Sequence, residues 1–332
     1  MKIKCGVVGV VGLPNAGKSS LVNALIQEKV SIVSPKPQTT RNNVMGIYND
    51  DNSQIVFVDT PGLNKADSGL GDYMQKSIKG AVSDVSAVCL VVDIEKGVTK
   101  KDLQLIDNFY ASKTPVVVVL SKTDLVSAEK VAKTLESFVP IIDKCEVVPV
   151  SSLKHKNLDT LLEVVKKYLP EVEDDEKLFD EDYYTDKSLN FLVAEIVREK
   201  ALYLLNDEIP HGIAVKVESF KEDDTLCTID CLIVCEKDSH KAIILGKQGE
   251  MIKKIGHNAR VTIQKIIQKK VILNLFVKVK RNWQNNLEFL DSLGYNIKDL
   301  WDCAKFQSIC VINIFWYPIK MQKYKFLKFF TY

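Results

Sequence analysis

One short segment constrains this chain more than any other feature of its sequence. Residues 12–19 read G-L-P-N-A-G-K-S and match the pattern G-x-x-x-x-G-K-[ST], whose glycine-rich backbone wraps phosphate groups. The apolar run at residues 3–11 predicts a strand buried on both faces, and a helical pattern follows the segment. The motif therefore stands at a helix N-terminus, where backbone N–H groups and the helix dipole favour anions.

Each part of this phosphate loop has a chemical task. Lys18 places a positive charge beside the β- and γ-phosphates of a nucleotide, and the Ser19 hydroxyl is a predicted ligand of Mg²⁺. The loop predicts a bound nucleoside triphosphate, although it leaves the base and the reaction open. The candidate nucleotide-binding residues in this segment are Gly12, Leu13, Pro14, Asn15, Ala16, Gly17, Lys18, Ser19 and Ser20.

Strand-like apolar runs alternate with helical patterns up to Pro170. The further runs are residues 54–59, 86–93, 115–120 and 146–150, and the helical patterns lie near 69–83, 100–112, 127–139 and 156–168. This alternation predicts an α/β fold, a mostly parallel sheet with helices on both faces. We expect residues 1–170 to form this domain, and a length of 332 residues leaves room for a second one.

Two loops after the first helix are typical of a nucleotide switch. The segment D-T-P-G-L is Asp59, Thr60, Pro61, Gly62 and Leu63. At the end of a strand, the Asp59 carboxylate can hold Mg²⁺ through a water, and the Gly62 N–H can contact the γ-phosphate. The same residue types form plain turns elsewhere, but here they follow a phosphate loop. Thr40, in the segment P-Q-T-T-R at 37–41, is predicted to bind Mg²⁺ only while GTP is present.

A further motif specifies the base. Its residues, which follow the apolar run at 115–120, are Ser121, Lys122, Thr123 and Asp124. The Asp124 carboxylate can accept hydrogen bonds from N1–H and the 2-amino group of guanine, whereas adenine offers neither donor, so ATP is rejected. The aliphatic stem of Lys122 can lie along the base. The next run is followed by residues placed to cap the base through a backbone N–H, namely Ser151, Ser152 and Leu153.

The second half of the chain has a different pattern. Residues 171–186 carry nine acidic side chains and one lysine, which predicts a solvated linker. Then follow a helical pattern at 187–205, strand patterns at 212–219 and 226–235, two short helical patterns around residues 246–249, and a strand pattern at 271–280. This α-β-β-α-α-β order predicts a separate domain over residues 187–300.

A G-x-x-G segment joins the two short helices of this second domain. In KH domains such a loop lets the backbone approach nucleic-acid phosphates, although a helix C-cap explains a lone G-x-x-G equally well. The predicted RNA-binding residues are Gly246, Lys247, Gln248, Gly249, Lys253, Lys254 and Arg260. The net charge of the chain is only +2, so this basic patch is local. Ile244 and Ile252 are candidates for packing on bases, with core packing as the alternative.

Together these motifs resemble the bacterial Era GTPases over roughly residues 3–300. Besides the nucleotide motifs, the segments that carry the resemblance are R-E-K-A-L (198–202), E-I-P-H-G-I-A-V (208–215), I-L-G-K-Q-G (244–249), I-K-K-I-G (252–256), V-K-V-K-x-x-W (277–283) and L-G-Y (293–295). The resemblance implies a Ras-like P-loop G domain followed by a type II KH domain. It also implies a GTPase that binds the 3′ end of small-subunit ribosomal RNA and assists maturation of the small ribosomal subunit.

The resemblance also informs the mechanism. Leu63 stands where many small GTPases have a water-orienting glutamine. Asn15 matches a position that helps to hold K⁺ beside the phosphates in similar proteins, so K⁺ is an expected activator. Mg²⁺ is the expected cofactor, held by Ser19, Thr40 and Asp59, and the expected catalytic residues are Lys18, Asn15, Thr40 and Gly62. Ser121 replaces the usual asparagine, which predicts nucleotide binding weaker by about 0.5–1.5 kcal/mol with guanine preference kept.

The remaining expectations concern location and partners. The resemblance implies a cytoplasmic protein whose partners are GTP or GDP, small-subunit ribosomal RNA and the small ribosomal subunit, and it also implies peripheral contact with the cell membrane. We expect a monomer. Residues 301–332 depart from the family pattern with an apolar, aromatic run followed by lysines. This tail leaves two alternatives open: an anchor on the inner face of the cell membrane, or a segment without function. A second hypothesis for the whole chain is an RNA-binding adaptor that keeps guanine nucleotide bound with negligible turnover.

Overall fold

The computed structural model of the chain describes residues 2–63, 68–206 and 209–295. The strands of its N-terminal domain are β1 (Lys2–Gly12), β2 (Val44–Asp50), β3 (Ser53–Asp59), β4 (Ala87–Asp93), β5 (Val116–Ser121) and β6 (Glu146–Pro149). Its α-helices are α1 (Lys18–Ile26), α2 (Gly69–Ala81), α3 (Lys100–Ala111), α4 (Ala128–Glu136) and α5 (Leu158–Lys166). The strands lie in the order β2-β3-β1-β4-β5-β6 in one sheet.

The strands β1, β3, β4, β5 and β6 run parallel, so the predicted α/β class is confirmed. The valine-rich strand β5 is buried along its whole length because helices pack on both faces of the sheet. The carboxyl ends of parallel strands meet at one edge, and ligands of open α/β sheets bind there. The loops after β1, β3, β5 and β6, which carry the predicted nucleotide motifs, therefore converge.

The strand β2 is an element that the sequence analysis does not predict. It pairs antiparallel with β3, from Val44 opposite Asp59 to Asp50 opposite Ser53. The turn between the two strands is held by Asp50, whose Oδ1 accepts hydrogen bonds from the Asn52 N–H at 3.0 Å and from the Ser53 hydroxyl at 2.8 Å. An aspartate that bonds the backbone two residues further on is a turn signal, and it marks this hairpin in the sequence.

Residues 171–186 differ from the predicted solvated linker. Glu171–Glu173 forms a short strand, β7, that pairs antiparallel with β1. The Phe179 N–H donates to Gln54 Oε1 at 2.9 Å, and the Tyr184 carbonyl accepts a backbone hydrogen bond from β2 at 3.0 Å. The acidic side chains lie at the surface, but apolar residues between them pack on the sheet. The acidic side chains of the predicted solvated linker are therefore exposed, but its backbone and apolar residues pack on the first domain.

The second domain follows directly. Its elements are α6 (Leu189–Leu204), β8 (Ala214–Glu222), β9 (Leu226–Cys235), α7 (Asp238–Leu245), α8 (Glu250–Ile267), β10 (Lys270–Val279) and α9 (Leu287–Ser292). The sheet has the order β10-β9-β8, with β9 parallel to β10 and antiparallel to β8. Side chains of α6 and α8 share an apolar core with this sheet. The predicted α-β-β-α-α-β order is confirmed by the elements from α6 to β10.

The two domains pack against each other through helix α2. The apolar cluster between them contains Leu70, Tyr73, Met74, Ala214, Val234, Trp283, Leu290 and Tyr295. The rings of Tyr73 and Tyr295 meet edge to face with their centroids 5.7 Å apart. The Arg41 guanidinium lies over the Trp283 ring, 5.9 Å from its centroid. Arg41, which follows Thr40 of the predicted metal site, and helix α2 are thus both in contact with the second domain.

The tail 301–332, and residues 296–300 of the predicted second domain, lie outside the described residues. The expectations for a tail and for a membrane anchor therefore stay predictions. Among the helices that are described, none combines the length and the apolar character needed to cross a bilayer.

Candidate functional site

A cavity of about 430 Å³ lies where the predicted nucleotide motifs converge, a size typical of ligand sites. The predicted residues that line it are Pro14, Asn15, Gly17, Lys18, Ser19, Ser20, Thr40, Gly62 and Lys122. Tyr203, from helix α6 of the second domain, also lines this cavity. Tyr203 is not predictable from the sequence, because no local motif connects a residue of the second domain to the phosphate loop.

Two glycines and a lysine shape the phosphate loop. Gly12 has φ +152°, and a Cβ there would lie 2.4 Å from the Val91 carbonyl oxygen, so the position excludes a side chain. Gly17, with φ +98°, is the N-cap of α1. The Lys18 ammonium donates to the carbonyls of Gly12 at 3.1 Å and Leu13 at 3.2 Å. The loop therefore curls around this lysine at the helix N-terminus.

Lys18 is a buried cation. Burial lowers the pKa of Lys18 to about 8, and the nearby Asp59 carboxylate opposes that shift. A phosphate in the cavity adds negative charge beside the ammonium group, which favours its charged form. The site is therefore electrostatically suited to an anionic ligand.

Three oxygen-bearing side chains meet at the predicted metal site. The Ser19 and Thr40 hydroxyl oxygens are 2.8 Å apart, and Thr40 Oγ1 lies 3.5 Å from Asp59 Oδ2. Asp59 is fully buried, which raises the pKa of its carboxyl, and its Oδ1 has no hydrogen-bond partner among the described residues. A buried carboxylate oxygen without a partner, next to two hydroxyls, fits a hard divalent cation such as Mg²⁺.

The D-T-P-G-L segment lies against the phosphate loop. The Thr60 hydroxyl donates to the Val10 carbonyl at 2.8 Å. A Cβ on Gly62 would lie 3.0 Å from Pro14 Cα, so the close approach depends on glycine. Pro61 precedes this glycine, and the Leu63 N–H is 3.4 Å from the Gly12 carbonyl. The Leu63 side chain has no polar group that could orient a water, unlike the glutamine that many small GTPases have at this position.

The base-reading end of the site is braced by residues from several loops. The Ser151 hydroxyl donates to Asp124 Oδ1 at 2.5 Å, a role beyond the predicted backbone cap. The Lys122 ammonium pairs with Asp93 Oδ2 at 2.6 Å, and Asp93 is a residue that the sequence analysis missed. Thr123 begins a short 3₁₀ turn, Ser152 is half-buried and Leu153 is exposed. The hydrogen bond from Ser151 thus orients the Asp124 carboxylate.

Ser121, which replaces the usual asparagine, holds the phosphate loop. Its hydroxyl lies 2.6 Å from the Ala16 carbonyl oxygen and 3.1 Å from the Val92 carbonyl oxygen, and it donates to the nearer of the two. The serine therefore keeps a link between the base-reading loop and the phosphate loop. The expected weaker nucleotide binding stays a prediction.

Asn15 contacts the first switch segment. Its Nδ2 donates to the Pro35 carbonyl at 2.7 Å, and its backbone has φ +62°. This contact joins the phosphate loop to the segment that leads to Thr40. Asn15 Oδ1 has no hydrogen-bond partner among the residues that the structure describes, so it is the atom available to a cation.

The G-x-x-G loop has the geometry that glycine permits. Gly246 has φ +70° and Gly249 has φ +76°, and Gly249 is the N-cap of α8. The side chains predicted to bind RNA that are exposed on this loop and on α8 are Lys247, Gln248, Lys253, Lys254 and Arg260. Ile244 is fully buried in the core of the second domain, which confirms the core-packing alternative for this residue, whereas Ile252 is half-buried. Its neighbour Ile243, which the sequence analysis missed, is 48% exposed.

A phosphate loop, a predicted metal site that includes Thr40 and a predicted base-reading Asp124 are the features of a P-loop GTPase, which is joined here to a KH-type domain. Residues 7–122 match the family described as 50S ribosome-binding GTPase, and residues 208–284 match the KH domain family. The chain is 46% identical over 293 residues to GTPase Era of Clostridium botulinum (strain Okra / Type B1) and of Clostridium perfringens (strain 13 / Type A), covering 88% of this chain and 98% of each relative. The chain belongs to the Era family of GTPases.

Solved structures agree with this assignment. The crystal structure of a point variant of Aquifex aeolicus Era bound to GDP·AlF₄⁻ matches with a TM-score of 0.83 at 38% identity, covering 89% of this chain and 100% of that one. A crystal structure of Era in complex with MgGDPNP and nucleotides 1506–1542 of 16S ribosomal RNA matches with the same TM-score and identity, covering 89% and 99%. The predicted G domain, the KH domain and the GTPase activity are thereby confirmed, as is Mg²⁺ as the cofactor.

Proposed function

We propose that this GTPase binds the 3′ end of small-subunit ribosomal RNA and assists maturation of the small ribosomal subunit. The observation that carries the proposal is the G-x-x-G loop at residues 246–249, which contains the exposed Lys247 and is followed on α8 by the exposed cations Lys253, Lys254 and Arg260. Backbone at such a loop can approach phosphates, while lysine and arginine neutralise them. The Era relative with 16S ribosomal RNA bound supports the choice of RNA.

Hydrolysis of GTP needs charge stabilisation and positioning more than covalent chemistry from the protein. Lys18 neutralises the phosphates, and the Gly62 N–H is placed to contact the γ-phosphate. Ser19, Thr40 and Asp59 would hold Mg²⁺, which supplies positive charge to the phosphate oxygens. Leu63 cannot orient the attacking water, so intrinsic hydrolysis is slow, and we expect RNA to stimulate it.

The proposal is tested by measuring GTP hydrolysis in K⁺ buffer with increasing concentrations of an RNA oligonucleotide from the small-subunit ribosomal RNA 3′ end. A rise in rate with RNA supports a switch coupled to RNA binding. RNA binding with a flat, near-zero rate supports the adaptor hypothesis instead, and absence of RNA binding overturns the proposal.

A double substitution in the G-x-x-G loop will separate RNA binding from nucleotide chemistry. Lys247→Asp with Gln248→Asp keeps both glycines but puts two carboxylates where RNA phosphates would lie. We expect RNA affinity to fall by roughly 10–100-fold in filter-binding or anisotropy measurements, with unchanged hydrolysis in the absence of RNA. The matched control is Lys101→Asp with Gln104→Asp, the same change on the exposed face of α3. Equal RNA affinity in the two double variants would refute the assignment of the loop.

We propose that K⁺ activates the enzyme through Asn15. The Nδ2 of Asn15 is engaged by the Pro35 carbonyl, which leaves Oδ1 as a cation ligand beside the phosphates. We expect kcat to be on the order of tenfold higher in KCl than in NaCl at equal ionic strength, because a bound cation stabilises developing charge. Asn15→Ala should remove most of this difference. Equal rates of the unsubstituted protein in the two salts would end the hypothesis.

The location and oligomeric state belong to this proposal as well. We place the protein in the cytoplasm as a monomer, with peripheral contact to the inner face of the cell membrane as the alternative. The alternative rests on the family resemblance and on the composition of residues 301–332.

A further inference from the structure

Helix α6 places two consecutive charged residues against the loop that leads to Thr40. Arg198 is 0% exposed and Glu199 is 2% exposed. Burying a charge is costly unless the charge is paired and hydrogen-bonded. The partners of these two side chains therefore indicate what the buried charges do.

Arg198 holds the peptide bond in front of Thr40. Its Nε and Nη2 donate to the two carboxylate oxygens of Glu195 at 2.7 and 2.5 Å, which fixes the plane of the guanidinium group. The same Nη2 also donates to the Thr39 carbonyl. Because the peptide unit is planar, fixing the Thr39 carbonyl also fixes the backbone nitrogen of Thr40. A residue of the second domain thus sets the backbone position of the switch threonine.

Glu199 binds the same loop at Val33, six residues before Thr39. Its Oε1 accepts the backbone N–H of Val33 at 3.0 Å and the Lys29 ammonium at 2.7 Å, and its Oε2 accepts from Lys200 at 2.7 Å. Burial raises the pKa of the Glu199 carboxyl, but Lys29, Lys200 and the Val33 N–H together hold it below its usual value. The carboxylate is therefore charged when it binds the loop.

Thr40, the residue directly after the Thr39 contact, lies at the predicted metal site. Thr40 Oγ1 lies 2.8 Å from Ser19 Oγ. One helical turn beyond Glu199, Tyr203 lines the same nucleotide cavity. We propose that Arg198 and Glu199 are positioning residues of the GTPase reaction, supplied by the RNA-binding domain, which hold Thr40 where it can ligate the metal ion.

Packing of the two domains against each other does not require the buried charges of Arg198 and Glu199. The apolar cluster around Tyr73 and Tyr295 joins the domains at α2, and the Arg41 guanidinium donates to the Ile213 carbonyl at 2.6 Å. Replacing a buried ion pair with apolar residues is often neutral or stabilising, so stability alone is a weak reason for Arg198 and Glu195. A role in orienting the switch loop accounts for the contacts to the Thr39 carbonyl and the Val33 N–H.

The test uses the full chain without RNA, so its result does not depend on the proposed RNA partner. Arg198→Lys keeps the positive charge beside Glu195 but lacks the planar fork that also reaches the Thr39 carbonyl. We expect kcat for GTP to fall on the order of tenfold to 100-fold with KM and GDP affinity unchanged, because a misplaced catalytic group costs rate rather than ground-state binding. In nucleotide-free protein, amide hydrogen exchange should rise in residues 31–41 and stay unchanged in the helix α5.

A second pair of variants guards against a folding defect. Glu199→Gln keeps an oxygen that can accept the Val33 N–H, whereas Glu199→Ala does not, so we expect the glutamine variant to retain more of kcat than the alanine variant. The control is Glu222→Gln, which removes an ion pair with Lys269 of 2.6 Å at another place in the second domain, and should leave kcat unchanged. Wild-type kcat and exchange in Arg198→Lys, or equal loss in both Glu199 variants and in the control, would overturn the proposal.

Discussion

Replacing Lys18 by alanine will strongly slow GTP hydrolysis. The ammonium group lies at the centre of the phosphate loop, where it bonds the Gly12 and Leu13 carbonyls and faces Asp59. Without it, negative charge that develops on the phosphates loses the cation of the phosphate loop, and we expect single-turnover hydrolysis to fall on the order of 10²–10³-fold. Nucleotide affinity, measured with a fluorescent GTP analogue, should fall as well.

The matched control for this variant is Lys101→Ala, which removes an exposed lysine from α3 in the same domain. Its hydrolysis rate should equal that of the unsubstituted protein. Thermal unfolding of both variants will show whether the loss of the Lys18 contacts within the loop also lowers stability. A Lys18→Ala protein that is folded and hydrolyses GTP within tenfold of the original rate would contradict the assigned role.

Replacing Asp124 by asparagine will change which base is bound. The carboxylate is predicted to accept one hydrogen bond from each of the two guanine donors. An asparagine side chain can accept from one guanine donor through its carbonyl oxygen, but its NH₂ group then faces the other donor. One charge-assisted hydrogen bond of about 1.5–3 kcal/mol is lost and the other becomes a neutral one of about 0.5–1.5 kcal/mol, so GTP binding should be weaker by roughly 10²–10³-fold. Xanthine has a carbonyl in place of the 2-amino group, so the variant should bind the xanthine nucleotide better than GTP.

Ser151→Ala provides a graded comparison for this prediction. It removes the 2.5 Å hydrogen bond that orients Asp124 but leaves the carboxylate in place. We expect GTP affinity to fall by roughly two- to tenfold, with guanine preference kept. Asp143→Asn, at an exposed aspartate, is the control and should change neither base preference nor affinity. Unchanged preference in Asp124→Asn would exclude Asp124 as the base reader.

The features that could be predicted from the sequence are those formed by residues close together in the chain. The phosphate loop is eight consecutive residues after a buried strand, and the strand–helix alternation repeats along residues 1–170. The G-x-x-G loop is likewise local, and its neighbours Lys253, Lys254 and Arg260 are exposed as expected. Local spacing therefore suffices for the class of fold and for the nucleotide motifs.

The features that were missed depend on contacts between distant residues. β2 has a weak local pattern and is fixed by its pairing with β3. The high charge of residues 171–186 predicts a linker. Leu178 and Phe179 nevertheless pack on the sheet, and no local rule predicts this contact. Asp93 joins the site because its strand lies beside β5, which places it 2.6 Å from Lys122. Tertiary packing outweighs local propensity at each of these positions.

The contact between Tyr73 and Tyr295 has a consequence for how the protein is made. A nascent chain emerges from its N-terminus at about 5–20 residues per second, and domains fold as they become complete. Tyr73 belongs to helix α2 of the first domain, yet the ring that it contacts is that of Tyr295. The Thr39 carbonyl likewise accepts a hydrogen bond from Arg198, which is translated much later. During synthesis the nucleotide domain can therefore collapse early, while its switch segments acquire their final packing only after the second domain has been translated.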